Sequence, residues 1–388
     1  MKGECVAMLL AEGQKRGSGA LAAFLPKSMI FYGGSHRLID FALSACNRSG
    51  LDVVGVLSQG PSPELLCHIG NGRAWVSSGE GGVFMLPSDV QGRDYTGSVD
   101  AVRRNFSFIE RFTPEHVCIL PGDQIFTTDC AKMLTAHKKS GAAVTLAVAA
   151  APKNTTLRFC PVRRHESQEY LVSTGIYIFR REALQRYLMG DEEEKSAWLD
   201  FERDVLPAMF RGGEKMQLWR FEGYRKEVDT AEDLWESGMD LLNDPLLFAL
   251  AAKTGGLLRS NGVPAPGYVR ETPHVSRSIL SGLQVIQGRV EHSILSDSVV
   301  VERGAEVVDS ILMPNVYVGK NAKIHRAILA PNARVMENVE IGAEKERRDF
   351  SDECARPRGI SLIAPWVYIP AGTKLQKGSY IERERIVG

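Results

Sequence analysis

Two segments of the chain place glycine and serine at the start of a helical pattern, a combination that can bind anions. Gly97-Ser98 precedes a helical pattern over Asp100–Phe112, and Gly60-Pro61-Ser62 opens another over Ser62–Ile69. The first backbone N–H groups of a helix have no partner inside the helix and point toward a bound anion. These two segments therefore predict places where phosphate groups could be held.

Short β-branched runs alternate with the helical patterns over the first two-thirds of the chain, which predicts an α/β fold with a parallel sheet. The predicted strands are Val6–Leu10, Val53–Leu57, His116–Leu120, Ala143–Val148 and Leu171–Phe179, and a further helix is predicted over Cys130–Ser140. Open α/β sheets bind ligands at the carboxyl ends of their strands. Asp123, just after Pro121-Gly122, is placed at such an end.

The last third of the chain contains an internal repeat. The tripeptides Ser278-Ile279-Leu280, Ser293-Ile294-Leu295, Ser310-Ile311-Leu312 and Ala327-Ile328-Leu329 recur, and aliphatic residues between them return about every six positions. Examples are Val301 and Val307, Val318 and Ile324, and Val335 and Ile341. A period of about six, grouped in threes, predicts a left-handed β-helix of hexapeptide repeats, and an ordinary meander of short strands is the alternative.

Composition shifts predict the domain boundaries. A Gly/Pro-rich stretch with Gly255-Gly256 and Gly262–Gly267 separates the predicted α/β part of the sequence from the internal repeat. We predict a first domain over residues 1–242, a helix and linker over 243–270, and the β-helix domain over 271–388. The charged segment Glu344–Pro357 is predicted to be a solvated loop near the last coil, and an interface is the alternative.

Charge and hydropathy exclude several classes of partner. The 388 residues contain 47 Lys plus Arg and 47 Asp plus Glu, so no broad basic face for nucleic acid is expected. No apolar run approaches the roughly 20 residues of a membrane span, and the first residues lack the features of a signal peptide, so we expect a cytoplasmic protein. The seven cysteines form no C-x-x-C pair and are expected to be reduced and mostly buried.

The order of the two predicted domains and several motifs resemble the bacterial glucose-1-phosphate adenylyltransferase family, also called ADP-glucose pyrophosphorylase. Phe31–Ser44 is similar to the family's P-F-G-G-K-Y-R-L-I-D-F-x-L-S. Further matching stretches are Gly97–Val102, Gly122-Asp123-Gln124 and Ser173–Phe179. The resemblance implies a Rossmann-like nucleotidyltransferase domain with a mixed, mostly parallel sheet, and formation of ADP-glucose and pyrophosphate from ATP and glucose 1-phosphate with Mg²⁺ in glycogen synthesis.

The first loop departs from the family pattern A-G-G-x-G-T-R-L. Counting back from Lys27, which matches the lysine of K-P-A, places Glu12 and Lys15 at glycine positions and Gly17 at the arginine position. A glutamate here would repel the triphosphate, and the arginine that neutralises pyrophosphate is missing. Arg16 lies one residue away and could restore a guanidinium through a local shift.

The resemblance also implies two metal ligands. Asp123 matches the first, and the family's Y-W-R-D-V-G-T reads Tyr224-Arg225-Lys226-Glu227-Val228-Asp229-Thr230 here, so Glu227 replaces the second aspartate. Because Mg²⁺ demands near-octahedral geometry, the extra methylene weakens the expected metal site.

The sugar-phosphate segment is altered most. The family's F-x-E-K-P is absent, and Arg163 and Arg164 are the basic residues nearest to its place. Nucleotide-side residues persist, because Gln59 matches the glutamine that reads adenine and Tyr95, Gly97 and Ser98 match the adenosine loop. A residual adenosine pocket is one interpretation, and retention for packing is the other.

These departures predict a regulatory subunit that is weakly catalytic or non-catalytic, similar to such subunits of the family in Gram-positive bacteria. It would assemble with a catalytic homologue, as a heterotetramer, and could respond to a nucleotide or sugar-phosphate effector. One alternative is an active, divergent adenylyltransferase. Another is a hexapeptide-repeat acyltransferase or assembly module, with His292 and His325 as candidate bases.

Overall fold

In the first part of the chain, helices pack on both faces of a seven-stranded sheet. A computed structural model describes residues 4–11, 25–76, 81–88, 93–151, 170–189, 198–244, 267–271, 274–343 and 359–382. The strands of this part are β1 Cys5–Leu10, β2 Phe31–Tyr32, β3 His36–Arg37, β4 Val53–Ser58, β5 Gly82–Pro87, β6 His116–Pro121, β7 Gln124–Phe126, β8 Val144–Ala151, β9 Tyr170–Arg180, β10 Met216–Arg220 and β11 Arg225–Glu227. Seven of them form one sheet in the order β10-β8-β9-β6-β1-β4-β5. Strand β9 runs antiparallel to both of its neighbours, and the other pairings are parallel, so the expected mixed, mostly parallel sheet is confirmed.

Helices cover the sheet on both faces. The α-helices are α1 Ile39–Arg48, α2 Pro63–Ile69, α3 Ser98–Arg104, α4 Phe106–Phe112, α5 Cys130–Ser140, α6 Arg181–Leu188, α7 Leu206–Arg211 and α8 Ala231–Asn243. Short 3₁₀ helices occupy Lys27–Met29 and Arg73–Trp75, and a π-helical turn, Phe201–Val205, leads into α7. Strands β1 and β6 are buried along nearly their whole length, which explains their continuous apolar sequence. Cys5, Cys46, Cys118 and Cys130 are buried in this core as free thiols, as expected.

One predicted helix is two helices. The segment predicted as a single helix over Asp100–Phe112 divides at Asn105 into α3 and α4. The Asn105 side-chain amide donates to the carbonyl oxygen of Ala101 at 2.9 Å and to the Tyr95 hydroxyl at 2.7 Å. Asparagine side chains compete with the helical backbone in this way, so the break has a local physical cause.

The last part of the chain is the predicted β-helix. Its strands are β12 Gly267–Glu271, β13 Val275–Leu280, β14 Val285–Ile286, β15 Arg289–Glu291, β16 Ile294–Leu295, β17 Val300–Val301, β18 Glu306–Val308, β19 Ile311–Leu312, β20 Tyr317–Val318, β21 Lys323–His325, β22 Ala327–Leu329, β23 Arg334–Val335, β24 Glu340–Ala343, β25 Ser361–Ile363, β26 Tyr368–Ile369, β27 Lys374–Gln376 and β28 Tyr380–Ile381. Apart from β12, which is antiparallel to β13, the strands pair in parallel from coil to coil. The predicted inward aliphatic residues are buried; Val307 and Ile324, for example, are 0% exposed.

The outward residues differ between the sides of the β-helix. One side carries a register of alternating charge: Arg289, Glu306, Lys323, Glu340 and Lys374. Another carries an apolar register, and it is buried against the first domain: Ile279, Ile294, Ile311, Ile328 and Leu362. The apolar side is therefore an internal interface, whereas the charged side is suited to contact with solvent.

Helix α8 is one of the elements of the first domain that form this interface. Trp235 donates its indole N–H to the carbonyl oxygen of Asp309 at 2.6 Å, and the Arg326 guanidinium lies 4.2 Å from the Trp235 ring centroid. Gly34 also approaches the β-helix closely, since a Cβ built on it would lie 2.2 Å from Ser281 Oγ. The close approach of the two domains at Ser281 therefore leaves no room for a side chain at Gly34. No helix in the described ranges is long and apolar enough to cross a membrane.

Candidate nucleotide and metal site

Three charged side chains from distant parts of the chain meet at the carboxyl edge of the sheet. Lys27 begins the first 3₁₀ helix, Asp123 lies between β6 and β7, and Asp229 follows β11. The antiparallel pairing of β7 with β11 sets Glu227 opposite Gln124 and so draws the Asp229 segment toward Asp123. Lys27 Nζ lies 2.7 Å from Asp229 Oδ1 and 3.1 Å from Asp123 Oδ2. The lysine thus forms an ion pair with both carboxylates.

Burial sets the electrostatics of this group. The side chains of Lys27 and Asp123 are 15% and 12% exposed, whereas that of Asp229 is 50% exposed. Burial alone would lower the pKa of Lys27, but Asp123 and Asp229 outweigh it, so its pKa is raised. Burial raises the pKa of Asp123, Lys27 opposes that shift, and the second carboxylate of Asp229 reinforces it. Lys27 is therefore firmly protonated and serves as the counter-ion of a buried carboxylate.

Glu227, the second expected metal ligand, also has a cation of its own. The Arg225 guanidinium forms a salt bridge with the Glu227 carboxylate from the same strand, β11, and both side chains are mostly buried. Nucleotidyltransferases generally use divalent metal ions. Here each of the two carboxylates in the expected metal positions is already paired with a cation of the chain. In this arrangement the donor set does not fit a divalent ion.

Gln59 and Tyr95 contact each other directly. The Gln59 side-chain amide donates to the Tyr95 carbonyl oxygen at 2.9 Å, and Gln59 Oε1 accepts from the Tyr95 N–H at 2.8 Å. The Tyr95 hydroxyl donates to the Leu86 carbonyl oxygen at 3.0 Å. The amide of Gln59 therefore links the end of β4 to the loop before α3. Its predicted contact with adenine remains a prediction, to which the alternative of retention for packing also applies.

Both predicted anion-binding helix starts are contacted by the chain itself. Gly97 precedes α3, which begins at Ser98, and a Cβ on Gly97 would lie only 2.1 Å from the Leu199 carbonyl oxygen. The same oxygen accepts from the Val99 N–H at 3.3 Å. At α2, the Ser62 hydroxyl oxygen accepts from the Leu65 N–H at 3.3 Å and caps the helix. These contacts satisfy amides that were expected to face phosphate.

The remaining candidates divide into two groups. His292 lies at the domain interface, its ring nitrogens 2.6 Å from Asp309 Oδ1 and 2.9 Å from Asn243 Oδ1, while His325 is partly buried in β21. Because both ring nitrogens of His292 contact neighbouring side chains, these contacts hold the ring in place at the interface. Several candidates lie outside the described residues: Glu12, Lys15, Arg16, Gly17, Arg163, Arg164 and the segment Glu344–Pro357.

Asp229 is the site residue that sequence reasoning missed. It stands at the glycine of the family's Y-W-R-D-V-G-T, so the signal was a glycine-to-carboxylate exchange beside an expected metal ligand. The replacement of aspartate by Glu227 is the more conspicuous change in the same motif. The partner of Asp229, Lys27, lies 202 residues away along the chain and can be recognised only in the folded structure.

Comparison with known proteins places this site in a family. A nucleotidyl transferase family model matches residues 20–244, and a model described as GlmU-like, C-terminal hexapeptide matches residues 268–363. Glucose-1-phosphate adenylyltransferase from Clostridium beijerinckii is 37% identical over 325 residues, which cover 79% of this chain and 84% of that protein. The enzymes of the same name from Bacillus cytotoxicus and Bacillus anthracis are also 37% identical, over 86% of their length.

The chain belongs to the glucose-1-phosphate adenylyltransferase family. The family resemblance and both parts of the expected fold are thereby confirmed. Lys27 and Asp123 match the family motifs, whereas Asp229 and Glu227 stand where the motif has glycine and aspartate, and these two carboxylates are paired with Lys27 and Arg225.

Proposed function

We propose that this chain is a regulatory, weakly catalytic or non-catalytic subunit of ADP-glucose pyrophosphorylase, which acts in glycogen biosynthesis by assembling with a catalytic homologue. One observation carries the proposal: Asp123, the carboxylate expected to hold a divalent ion, is paired with the ammonium of Lys27, and that ammonium is also bound by Asp229, a carboxylate at a position where the family motif has glycine.

The chemistry explains why that pairing matters. Adenylyl transfer brings a triphosphate against a sugar phosphate and expels pyrophosphate, so charge must be neutralised by fixed cations and a metal ion. Loss of one preorganised donor typically lowers a rate by about 10²–10³. Lys27 directs its charge to Asp123 and Asp229, and Arg225 directs its charge to Glu227, so neither cation is free to serve a phosphate in this arrangement.

The preserved scaffold supports an assembly role. The sheet, the α8 interface and the β-helix are complete over the described ranges, and Gly34 closely approaches Ser281 of the β-helix. Selective change at the charged site with retention of the packing residues is the pattern expected of a subunit that must fold and associate. A heterotetramer with two kinds of subunit, and an effector that is a nucleotide or sugar phosphate, are part of this proposal.

The test is ADP-glucose formation from ATP and glucose 1-phosphate with Mg²⁺. The chain is assayed alone at high concentration, then mixed with a catalytic homologue from the same source, and the mixture is also examined by size-exclusion chromatography. We expect a rate at least 100-fold below that of the homologue, and a changed maximal rate or effector response in the mixed complex. Efficient turnover by the chain alone would instead favour an active, divergent adenylyltransferase. Absence of any complex would reject the regulatory role.

A further inference from the structure

We infer that Lys27, held in place by Asp229, is a built-in replacement for the divalent cation at this site, so that the chain excludes divalent ions from Asp123. The inference rests on the proposed function and deepens it, because it assigns the loss of metal binding to a specific pair of side chains. Asp229 acts here as a positioning residue for the lysine.

The geometry of the ammonium group supports this assignment. Lys27 Nζ contacts an oxygen of each carboxylate, and the contact to Asp229 is the shorter, at 2.7 Å against 3.1 Å. An ammonium is a compact point charge that can neutralise a carboxylate in the same position as a metal ion. A divalent ion bound to Asp123 would lie beside this ammonium and experience like-charge repulsion. Binding of a metal ion at Asp123 is therefore opposed while the lysine stays between the two carboxylates.

The surroundings make departure of Lys27 costly. Asp123 is 8% exposed, and removal of its partner would leave a buried carboxylate without a counter-ion. Asp229 is fixed by the start of α8, where its backbone N–H donates to Asp233 Oδ2 at 3.1 Å and Thr230 forms a capping box with Asp233. The carboxylate of Asp229 is thus attached to a rigid helix start. A glycine at this position would offer no such hold on the lysine.

Manganese binding to the full-length chain tests the inference directly. Mn²⁺ is added to the unaltered protein, to Lys27→Met, and to Lys27→Met combined with Asp229→Asn. Electron paramagnetic resonance measures the Mn²⁺ that remains free in each titration. We expect no measurable binding to the unaltered protein. Lys27→Met leaves Asp123 and Asp229 facing each other without a cation, so this variant should bind Mn²⁺ with an affinity at least tenfold above the weakest affinity that the titration can detect. The double variant should lose most of that gain.

A surface lysine provides the matched control. Lys132 lies 3.5 Å from Asp129 on α5, and its side chain is 80% exposed. Lys132→Met removes the same charge beside a carboxylate, and it should leave Mn²⁺ binding unchanged. Equal gains in the two lysine variants, or tight binding of Mn²⁺ by the unaltered protein, would overturn the inference.

A second measurement covers the case in which Lys27→Met does not fold. Reductive methylation followed by mass spectrometry reports how fast each lysine reacts. In the unaltered protein Lys27 should react at least tenfold more slowly than Lys132. The Asp229→Asn substitution should raise the methylation rate of Lys27 and leave that of Lys132 unchanged. An unchanged Lys27 rate in Asp229→Asn would show that Asp229 does not hold the lysine. The subunit-mixing assay tests the proposed function separately, since a chain that excludes metal could still fail to affect a catalytic homologue.

Discussion

The hydroxyl oxygen of Ser293 accepts a hydrogen bond from the backbone N–H of Ser310, one coil further along the β-helix, at 3.1 Å. The same hydroxyl donates to the Glu291 carbonyl oxygen at 2.8 Å. Ser278 and Ser310 repeat the arrangement in their own coils, and Ser310 Oγ accepts from the N–H of Ala327. The serine of the repeated tripeptide therefore connects consecutive coils at a buried corner.

Ser293→Ala should destabilise the β-helix. The substitution leaves the Ser310 N–H and the Glu291 carbonyl without their shared partner in a position that is 0% exposed. We expect the free energy of unfolding to fall by about 2 kcal/mol. Chemical denaturation measures this, with Ser107→Ala at an exposed position of α4 as control, which should change stability by less than about 0.5 kcal/mol. Equal losses for the two variants would contradict the role assigned to the serine.

The β-helix was predictable because its signal is periodic. Inward aliphatic residues such as Val307 and Ile324 return at a fixed interval, and each occupies the equivalent position in successive coils. The role of Ser293 was not predictable from that interval, because its hydroxyl joins backbone groups that belong to two different coils. The apolar face of the tripeptides was likewise visible as a repeat, but nothing in the repeat indicated that α8 would cover it.

The candidate site was less predictable than the fold. Asp123 was located correctly at the carboxyl edge of the sheet, because chain direction and strand order determine that edge. Its partners were not, since an ion pair between Lys27 and Asp229 depends on how three separate segments pack. Motif matching assigns a residue to a position, whereas the charge state of that position depends on neighbours far away in sequence.

Trp235→Phe should weaken the junction between the domains. The phenyl ring retains much of the packing, but it cannot donate to the Asp309 carbonyl oxygen, which Trp235 reaches at 2.6 Å. Loss of this hydrogen bond should lower the free energy of unfolding by about 1 kcal/mol, and Trp235→Ala by about 3 kcal/mol. Trp366→Phe is the matched control, because Trp366 is 77% exposed. Thermal unfolding should show the largest loss of stability for Trp235→Ala, a smaller loss for Trp235→Phe and the smallest for Trp366→Phe. A loss in Trp366→Phe as large as that in Trp235→Phe would refute the prediction.

Gly97→Ala tests the close contact before α3. The backbone of Gly97 is extended, with φ of 174°, so alanine faces no conformational penalty there. The added Cβ would nevertheless lie 2.1 Å from the Leu199 carbonyl oxygen, and a backbone atom cannot move aside without displacing the segment. We expect a loss of at least about 2 kcal/mol.

Gly141→Ala separates that steric effect from backbone strain. Gly141 has φ of +61°, and a methyl group added there would meet no atom within 4 Å, so only its left-handed conformation opposes alanine. The expected cost is about 1 kcal/mol. Denaturant midpoints for the two variants give the comparison, and a Gly97 variant as stable as the Gly141 variant would argue against the close approach.

Stability should fall in mild acid because of a buried histidine pair. His137 is 1% exposed, its Nδ1 lies 2.8 Å from Thr145 Oγ1, and its ring contacts that of His116 edge-on at 5.0 Å. Burial lowers the pKa of His137 to about 4, helped by the charges of His116 and Arg180, and burial also lowers the pKa of His116. In the unfolded chain a histidine titrates near its usual pKa of about 6.5.

The sign follows from that difference. Between about pH 6.5 and 4 the unfolded chain binds a proton at position 137 that the folded chain does not, so stability is present above this window and is lost as pH falls through it. The loss from His137 should approach 3 kcal/mol, since each unit of pKa difference corresponds to about 1.4 kcal/mol. Urea denaturation between pH 4 and 7 should show a shallower pH dependence in His137→Gln than in the unaltered protein. His274→Gln, at an exposed position, should keep the original slope. Parallel curves for His137→Gln and the unaltered protein would rule out His137 as the source.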